Sequence, residues 1–528
     1  MPQPHAHAQG QTRTPSPERR RVRAPSPSTR PIRREDFGYD QARHLLWRAG
    51  FGGTPAQVRA VSEMGPRDAV DFLLDFESTR DTYDGPSAAD FNPFIMAEPT
   101  PEQRRAYQRA RREQDEDALA RLRRTRQDRQ RSDRRQVADV KRWWLERMIE
   151  SPRPLEEKLT LFWHGHFATG YRTIENSYHM YLQNQLFRAH AAGSFESLMR
   201  GIIRDPAMLN YLNNDRNRVG APNENLAREL MELFSLGEGN YSERDIKEGA
   251  RALTGYTFRN NEFVFNADRH DTGSKRILAA QGNLDGDDFV TAILHERSCS
   301  EFIAMKLYEF FVAMVPSDRR NIRYRPAVAF IESIAKTMRE HDYELKPVLR
   351  EMFRSRHFYE EANIAEKIKS PVELVVSSVR SLRVPVRDLD VLVEALSVMG
   401  QEPLQPPNVA GWPGGRSWIN TSTLFVRQNI LAYMLTGKLP SGFDPDAAVE
   451  RYDATPMADD LAAGEIDGLS DPVLALPHLC RFMLGRPALP RQLDVLTAYV
   501  DTRGGRLDPP TLSGCMALIT AMPEYQLG

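Results

Sequence analysis

Apolar residues recur at intervals of three and four along most of the chain, which is the spacing of the buried face of an α-helix. Leu155, Leu159 and Phe162 form one such stripe, and a longer one runs from 289 to 311. Alternating apolar and polar positions are rare, and the best example, at 258–265, predicts a short hairpin. The pattern therefore predicts a mainly α protein with a large multi-helix globular domain and at most a small β-hairpin.

Changes in composition divide the chain into parts. Residues 1–35 are rich in Pro, Ser and Arg without apolar spacing, which predicts a disordered basic tail. Residues 36–437 form the predicted main helical domain, 438–470 a linker-like segment, and 471–528 a C-terminal helical section that packs on the main domain. Within the main domain, 101–140 is dominated by charged residues and predicts a long helical arm, either solvated or in contact with a protein partner.

Composition and charge narrow the function classes. The chain is 41% hydrophobic and 27% charged, with a net charge of -1, so no binding of nucleic acid is expected. It has no apolar run of about 18 residues, so no membrane span is predicted. The arginines near the start are not followed by an apolar segment, and the absence of a signal peptide favours a cytoplasmic location.

The segment 223–236 places polar residues among positions that otherwise suit a helix core. On a helix, Asn225 and Glu229 share a face, and Arg228 and Glu232 are spaced for an ion pair. Glu229 and Glu232 are three residues apart, so both carboxylates can approach one point. Such a pair can bind a divalent ion or act as acid and base, and it can equally neutralise arginines in a structural network. The sequence leaves both interpretations open.

Histidines provide the other candidate site groups. His270 and Asp271 lie in a polar loop, where a carboxylate can orient an imidazole or share a metal. Neighbours in sequence rarely bond to each other, so the partner of each is expected from elsewhere. His164 and His166 diverge if their segment is helical, so only one of them is expected to point into a site.

A Pro- and Gly-rich loop at 406–418 contains Trp412 and Trp418. Flat aromatic faces can stack on sugar rings or pack over a neighbouring helix, and the sequence does not decide between these uses. The common motifs of nucleotide-binding proteins, serine hydrolases and zinc proteases are missing from the sequence.

Together these blocks resemble the domain-of-unknown-function 1800 family of bacterial proteins, from about residue 40 to the C-terminus. The resemblance is carried by 44–52, 162–167, 223–234, 254–256, 270–275, 370–373 and 408–418. It implies no particular activity, because the family has no established one. Many relatives resemble exported proteins, whereas this chain lacks a recognisable signal. The chain also has Gly165 where the family tends to carry an acidic or amide residue.

The lead hypothesis is an α-helical hydrolase or lyase that acts on a polar, sugar-like substrate. Its catalytic residues would be Glu229, Glu232, His270, Asp271 and Arg228, and its substrate-binding residues Trp412, Trp418 and Asn225. A divalent metal, as cofactor, would be held by His166, Glu229, Glu232 and His270. The alternative is a non-catalytic scaffold or partner-binding protein with a buried ion-pair network.

Overall fold

The computed structural model describes residues 24–437, 452–463 and 471–528. Within these residues it contains 22 helices and two small two-stranded sheets, which confirms the predicted mainly α fold. Most of the tail predicted at 1–35, and much of the linker predicted at 438–470, lie outside the described residues.

The helices are numbered in chain order. The first nine are α1 (Tyr39–Ala49), α2 (Pro55–Leu74), α3 (Pro101–Glu113), α4 (Glu116–Glu150), α5 (Pro154–His166), α6 (Tyr171–Ile174), α7 (Ser177–Ala189), α8 (Phe195–Ile202) and α9 (Pro206–Tyr211). Then follow α10 (Asn225–Glu232), α11 (Glu243–Ala252), α12 (Gly286–His295), α13 (Arg297–Phe311), α14 (Tyr324–Glu340), α15 (Leu345–Arg354) and α16 (Pro371–Leu382). The last are α17 (Leu389–Val398), α18 (Thr421–Thr436), α19 (Thr455–Ala462), α20 (Pro472–Leu484), α21 (Pro490–Thr502) and α22 (Pro509–Thr520).

The strands form two separate hairpins. β1 (Tyr256–Arg259) pairs antiparallel with β2 (Glu262–Phe265), which is the hairpin that the alternating pattern predicts. β3 (Lys275–Ile277) pairs antiparallel with β4 (Ala280–Gly282) in a second hairpin that the sequence analysis does not predict. Strands of three residues are too short to show a recognisable alternation.

The predicted charged arm is a pair of packed helices. α3 is exposed along most of its length and starts at the capping Thr100, whose side chain accepts a hydrogen bond from the backbone of Gln103. α4 is 35 residues long, and its charged first half is largely exposed, whereas Val140, Trp144 and Met148 in its second half are fully buried. The arm is thus continuous with a helix of the core.

The long apolar stripe from 289 to 311 does not form one helix. Glu296 takes extended backbone angles between α12 and α13. This change of direction lets both helices bury their apolar faces, with Phe289 and Ile293 inside from α12 and Leu307 inside from α13. A periodic pattern carries no information about such a break when the spacing continues across it.

The C-terminal section lies against the main domain. Arg481 on α20 forms an ion pair with Asp40 on α1 at 2.6 Å. The Tyr525 hydroxyl lies 2.8 Å from the Ser378 hydroxyl on α16, and the backbone N–H of Lys369 donates to the carbonyl of Gln526. These contacts connect the end of the chain to the start of α16.

A buried carboxylate joins α4, α5 and α7. Glu157 is fully buried and accepts hydrogen bonds from Arg188 at 2.8 and 2.9 Å and from Arg147. Burial alone would raise the pKa of Glu157, but Arg188 and Arg147 hold it below its usual range. The carboxylate is therefore charged in the folded protein and satisfied by direct bonds.

We expect Glu157→Gln to lower the free energy of unfolding by about 3–5 kcal/mol, because two arginines would lose their buried counter-charge. Urea unfolding at pH 7 measures this change. Glu116→Gln is the matched control, since Glu116 pairs with Arg123 on the exposed arm, and its loss should cost at most about 1 kcal/mol. Equal effects of the two variants would contradict the prediction.

Candidate functional site

A cleft of about 270 Å³ opens between the ends of α5 and α13, the start of α16 and the tryptophan loop 406–418. Its volume is close to the lower limit of small-molecule pockets. The polar and aromatic residues of its lining include His166, Lys306, Glu309, Lys367, Glu373 and Trp412. Apolar walls and a few charged groups therefore meet in one concave space.

Direct backbone contact places the tryptophan loop on α5. Gly411 has a φ of 78°, and a Cβ at this position would lie 2.0 Å from the carbonyl oxygen of Gly165. A Cβ on Gly165 would lie 3.5 Å from the ring of Trp412. Because Gly411 carries no side chain, the loop closes onto the helix, and Trp412 forms one wall of the cleft.

Glu373 forms the inner wall, in the first turn of α16. Its carboxylate accepts a hydrogen bond from the backbone N–H of Ser370 at 2.8 Å and ion-pairs with Lys158 at 2.8 Å and Lys367 at 3.3 Å. Burial alone would raise the pKa of Glu373, but the two lysines and the hydrogen bonds hold it well below its usual range. Glu373 is thus a permanent anion that orients Lys367.

Lys367 and Glu309 have pKa values moved towards neutrality. Burial lowers the pKa of Lys367 to about 8, against the opposing effect of Glu373. Burial raises the pKa of Glu309, against the opposing effect of Lys306 and of a hydrogen bond from the backbone of Val315. A cleft that holds a weakened base and a weakened acid has groups suited to proton transfer.

His166 also faces the cleft, from the last turn of α5. Its Nε2 lies 2.9 Å from the carbonyl oxygen of Phe234, and because a carbonyl can only accept, Nε2 carries the proton. Burial, with help from Lys306, lowers the pKa of His166 to about 3. The ring is therefore neutral and presents Nδ1 as an acceptor. His164 is buried between Trp144 and Trp412 instead, so only one histidine of the pair lines the cleft.

Comparison with known proteins gives one result. A family model described as "Protein of unknown function (DUF1800)" matches residues 44–527. The chain belongs to this family. No curated protein and no solved structure matches it. Within the described residues, no helix is both long and apolar enough to cross a membrane.

The DUF1800 blocks lie in different places. The blocks at 162–167, 370–373 and 408–418 meet at the cleft, which the block at 223–234 reaches through Leu233, and the block at 44–52 lines the smaller cavity behind Glu373. The blocks at 254–256 and 270–275 are bonded to each other outside the cleft, through the hydrogen bonds of Thr254. The sequence analysis places Trp412, Trp418 and His166 in the site, and these three line the cleft. Its other candidates do not line it.

Among those other candidates, Arg228 and Glu232 on α10 have partners of their own. Arg228 pairs with Glu224 at 3.1 Å and with Glu243 at 2.9 Å, and Asn225 is exposed. The Glu232 carboxylate accepts a hydrogen bond from Tyr241 at 2.8 Å. These contacts connect α10 to α11 at the surface and suit the structural interpretation of the segment.

His270 and Asp271 likewise bond to residues distant in sequence, as expected. The Nδ1 of His270 lies 2.8 Å from the carbonyl oxygen of Thr254. Asp271 accepts two hydrogen bonds from Arg251, at 2.7 and 3.1 Å. Among the described residues, no group of three or more His, Cys, Asp or Glu side chains is arranged to hold a metal ion. Metal binding by His166, Glu229, Glu232 and His270 stays a prediction.

The charged residues of the cleft are the ones that sequence reasoning missed. Lys306 and Glu309 lie on an ordinary amphipathic helix, where nothing separates them from solvated positions. A sequence signal did exist for Lys367 and Glu373. Lys367 and Lys369 lie just before the capping box that Ser370 and Glu373 form at the start of α16. Their convergence with the tryptophan loop depends on contacts between distant parts of the chain.

We expect Gly411→Ala to destabilise the fold more than Gly400→Ala. Both glycines have positive φ values, 78° and 92°, so each alanine carries a left-handed cost of about 1–2 kcal/mol. Only at Gly411 does the new Cβ also collide with a backbone oxygen, whereas nothing lies within 4 Å of a Cβ at Gly400. Urea unfolding measures the free energy of unfolding of both variants. Equal losses of this free energy would contradict the close approach of the loop to α5.

We expect Glu229→Gln to raise the melting temperature at pH 7. Burial and the nearby Glu232 raise the pKa of Glu229, so its charged form destabilises the folded state above the usual pKa of 4.5. The gain should disappear near pH 4, where the carboxyl is protonated in both states. Glu224→Gln is the control, because it removes the partner of Arg228 and should give no gain. A lower melting temperature for Glu229→Gln at pH 7 would favour a paired structural role.

Proposed function

We propose that this cleft binds a polar, sugar-like molecule and carries out a hydrolytic or lytic step on it. The observation that supports the proposal is the meeting of Trp412 with Lys367 and Glu309 in one cavity. An aromatic wall can stack on a sugar ring, while an acid and a base of shifted pKa can move protons.

In this proposal the roles follow from the environment of each group. Glu309 is the proton donor, because burial favours its neutral form. Lys367 is the proton acceptor, since burial lowers its pKa to about 8 and so makes the neutral amine accessible near neutral pH. Glu373 is a positioning residue, because its carboxylate already accepts bonds from Ser370 and Lys158 and holds Lys367 in place.

In this proposal the cleft carries the acid and base roles, and the neighbouring surface does not. That surface holds the residues for which the sequence predicts those roles, namely Glu229, Glu232, His270, Asp271 and Arg228. The partners of Arg228, Glu232, His270 and Asp271 support a structural role for these four residues there. Elemental analysis of the purified protein, beside a His270→Ala variant, tests the predicted metal independently. A near-stoichiometric metal that is lost in the variant would return the chemistry to that surface.

A second candidate is the scaffold function. The exposed, charged length of α3 and the first half of α4 supports it, because such an arm offers a surface to a protein partner without disturbing the core. Deletion of the exposed arm tests this function. A chain without the arm that keeps its enzymatic activity but no longer binds its protein partner would support both the cleft function and the scaffold function.

The test of the cleft is binding and cleavage of a panel of neutral and acidic oligosaccharides. We expect Trp412→Ala to weaken binding by about 2 kcal/mol, or roughly 30-fold, because it removes the stacking surface. Phe425→Ala is the matched control, since Phe425 is 68% exposed on α18 and does not line the cleft. Equal binding by both variants would contradict the proposal.

Measurements of kcat test the proton-donor role of Glu309 and the proton-acceptor role of Lys367. In an active preparation, Glu309→Gln and Lys367→Met should each lower kcat by about 10²–10⁴, the usual contribution of a positioned acid or base. Melting temperatures show whether each variant is folded. Full activity in both folded variants would remove these roles.

A further inference from the structure

Buried basic side chains surround the cleft floor. A second, smaller cavity lies behind Glu373 and is lined by Arg48, Lys158, Lys367, Lys369 and Gly528. Glu373 and Lys367 line both cavities and so separate them. The Glu373 carboxylate is therefore a counter-charge shared by several buried basic groups.

Glu373 cannot satisfy them all. Its bonds go to Lys158, Lys367 and the N–H of Ser370. Lys369 is 3% exposed and bonds to the carbonyl of Tyr525 at 2.8 Å. Arg48 is also 3% exposed and donates to one carbonyl, while its Nε–H is buried without a hydrogen-bond partner. Burial lowers the pKa of Lys369 well below its usual range and so favours its neutral amine. Arg48 is acted on by the carboxylates of both Glu373 and Glu366. A cation for a ligand therefore has to come from the cleft itself.

A further cation stands at the cleft itself. Lys306 lines the cavity from α13, and its ammonium lies 5.1 Å from the ring centre of Phe302. In the part of the chain that the structure describes, no carboxylate lies within ion-pair distance of Lys306. It is thus available to a negative group of a ligand that occupies the cleft.

We propose that the cleft takes an acidic sugar, whose carboxylate lies against Lys306, and that the step is β-elimination rather than hydrolysis. This inference rests on the proposed function and decides between its two reaction types. The proton next to a carboxylate is difficult to remove because negative charge builds up on the carboxylate oxygens. A fixed cation stabilises that charge in the transition state, and Lys306 supplies one at the cleft.

The step balances without any further reactant. The neutral amine of Lys367 takes the proton from the carbon beside the carboxylate. The electron pair left behind forms a double bond to the next carbon, and the bond from that carbon to the glycosidic oxygen breaks. The departing oxygen takes the proton of Glu309. The products are one unsaturated acidic sugar and one sugar with a free hydroxyl, and no water is consumed.

The test uses matched pairs of probes with the full chain. Oligomers of galacturonate are compared with oligomers of galactose, and glucuronate-containing oligomers with oligomers of glucose. Binding is followed by tryptophan fluorescence, elimination by the ultraviolet absorbance of the new double bond, and product composition by mass. We expect an acidic oligomer to bind at least about tenfold more tightly than its neutral counterpart. The product masses should sum to that of the substrate.

Three variants separate binding from chemistry. Lys367→Arg leaves a basic group beside Glu373 that cannot accept a proton, so it should keep the acidic ligand and lose elimination. Lys306→Met should lose the preference for acidic over neutral sugar. Lys336→Met is the control, because Lys336 is exposed and pairs with Glu340 on α14, and it should change neither property.

The contrary outcomes are distinct. Neutral oligomers that bind as tightly as acidic ones, or products that have gained a water molecule, would overturn this inference and leave the proposed function standing. Tight binding of acidic oligomers without an unsaturated product would overturn the elimination step. If neither member of either pair binds, both this inference and the proposed function are overturned.

Discussion

The buried carboxylate of Glu373 is the interaction on which the centre of the molecule depends. It caps the start of α16 through Ser370 and pairs with Lys158 from α5 and with Lys367. Lys158 also donates to the carbonyl of Gly50 at the end of α1. One anion thus holds three helices together, and a buried group of cations without it would be strongly unfavourable. The same anion forms a wall of the cleft, so stability and site geometry have a common origin.

Close backbone approach is the second constraint. Gly411 meets the backbone of Gly165 where a side chain on Gly411 would collide, and this contact sets the position of Trp412. A Cβ on Gly165 would be in ordinary contact with the indole ring, at 3.5 Å. The ring therefore covers the end of α5 and forms an aromatic wall of the cleft.

The segment 223–275, whose charges are the most conspicuous feature of the sequence, shows how similar residues can have different uses. Asp271 neutralises Arg251, and Glu243 neutralises Arg228, in partly exposed pairs. Such pairs contribute little stability individually, but they connect the hairpins to α10 and α11. The cleft differs, because Lys306 has no carboxylate within ion-pair distance among the described residues and burial shifts the pKa values of Lys367 and Glu309 towards neutrality. Charge that is left unbalanced inside a protein is a stronger indication of a ligand than charge that is already paired.

Local sequence patterns were sufficient to predict much of the architecture. The 3.6-residue period identifies helices such as α5, because it depends on neighbours within one or two turns. The hairpin at 256–265 follows from alternation for the same reason. The family, too, could be recognised from short blocks in order. The break at Glu296 could not be predicted, because the helical pattern continues across it. The second hairpin could not be predicted either, because its strands are too short to show an alternation.

The site was decided by tertiary structure. Sequence reasoning identified Trp412, Trp418 and His166, because aromatic and histidine residues in unusual loops stand out one by one. It could not identify Lys306 and Glu309, which look like solvated helix positions until the fold covers them. Burial is what shifts the pKa values of Lys367 and Glu309, and burial is a property of contacts between residues far apart in the chain. The sequence by itself therefore determined the helices and the family, whereas only the packing of α5, α13, α16 and the tryptophan loop decided which charges share a cavity.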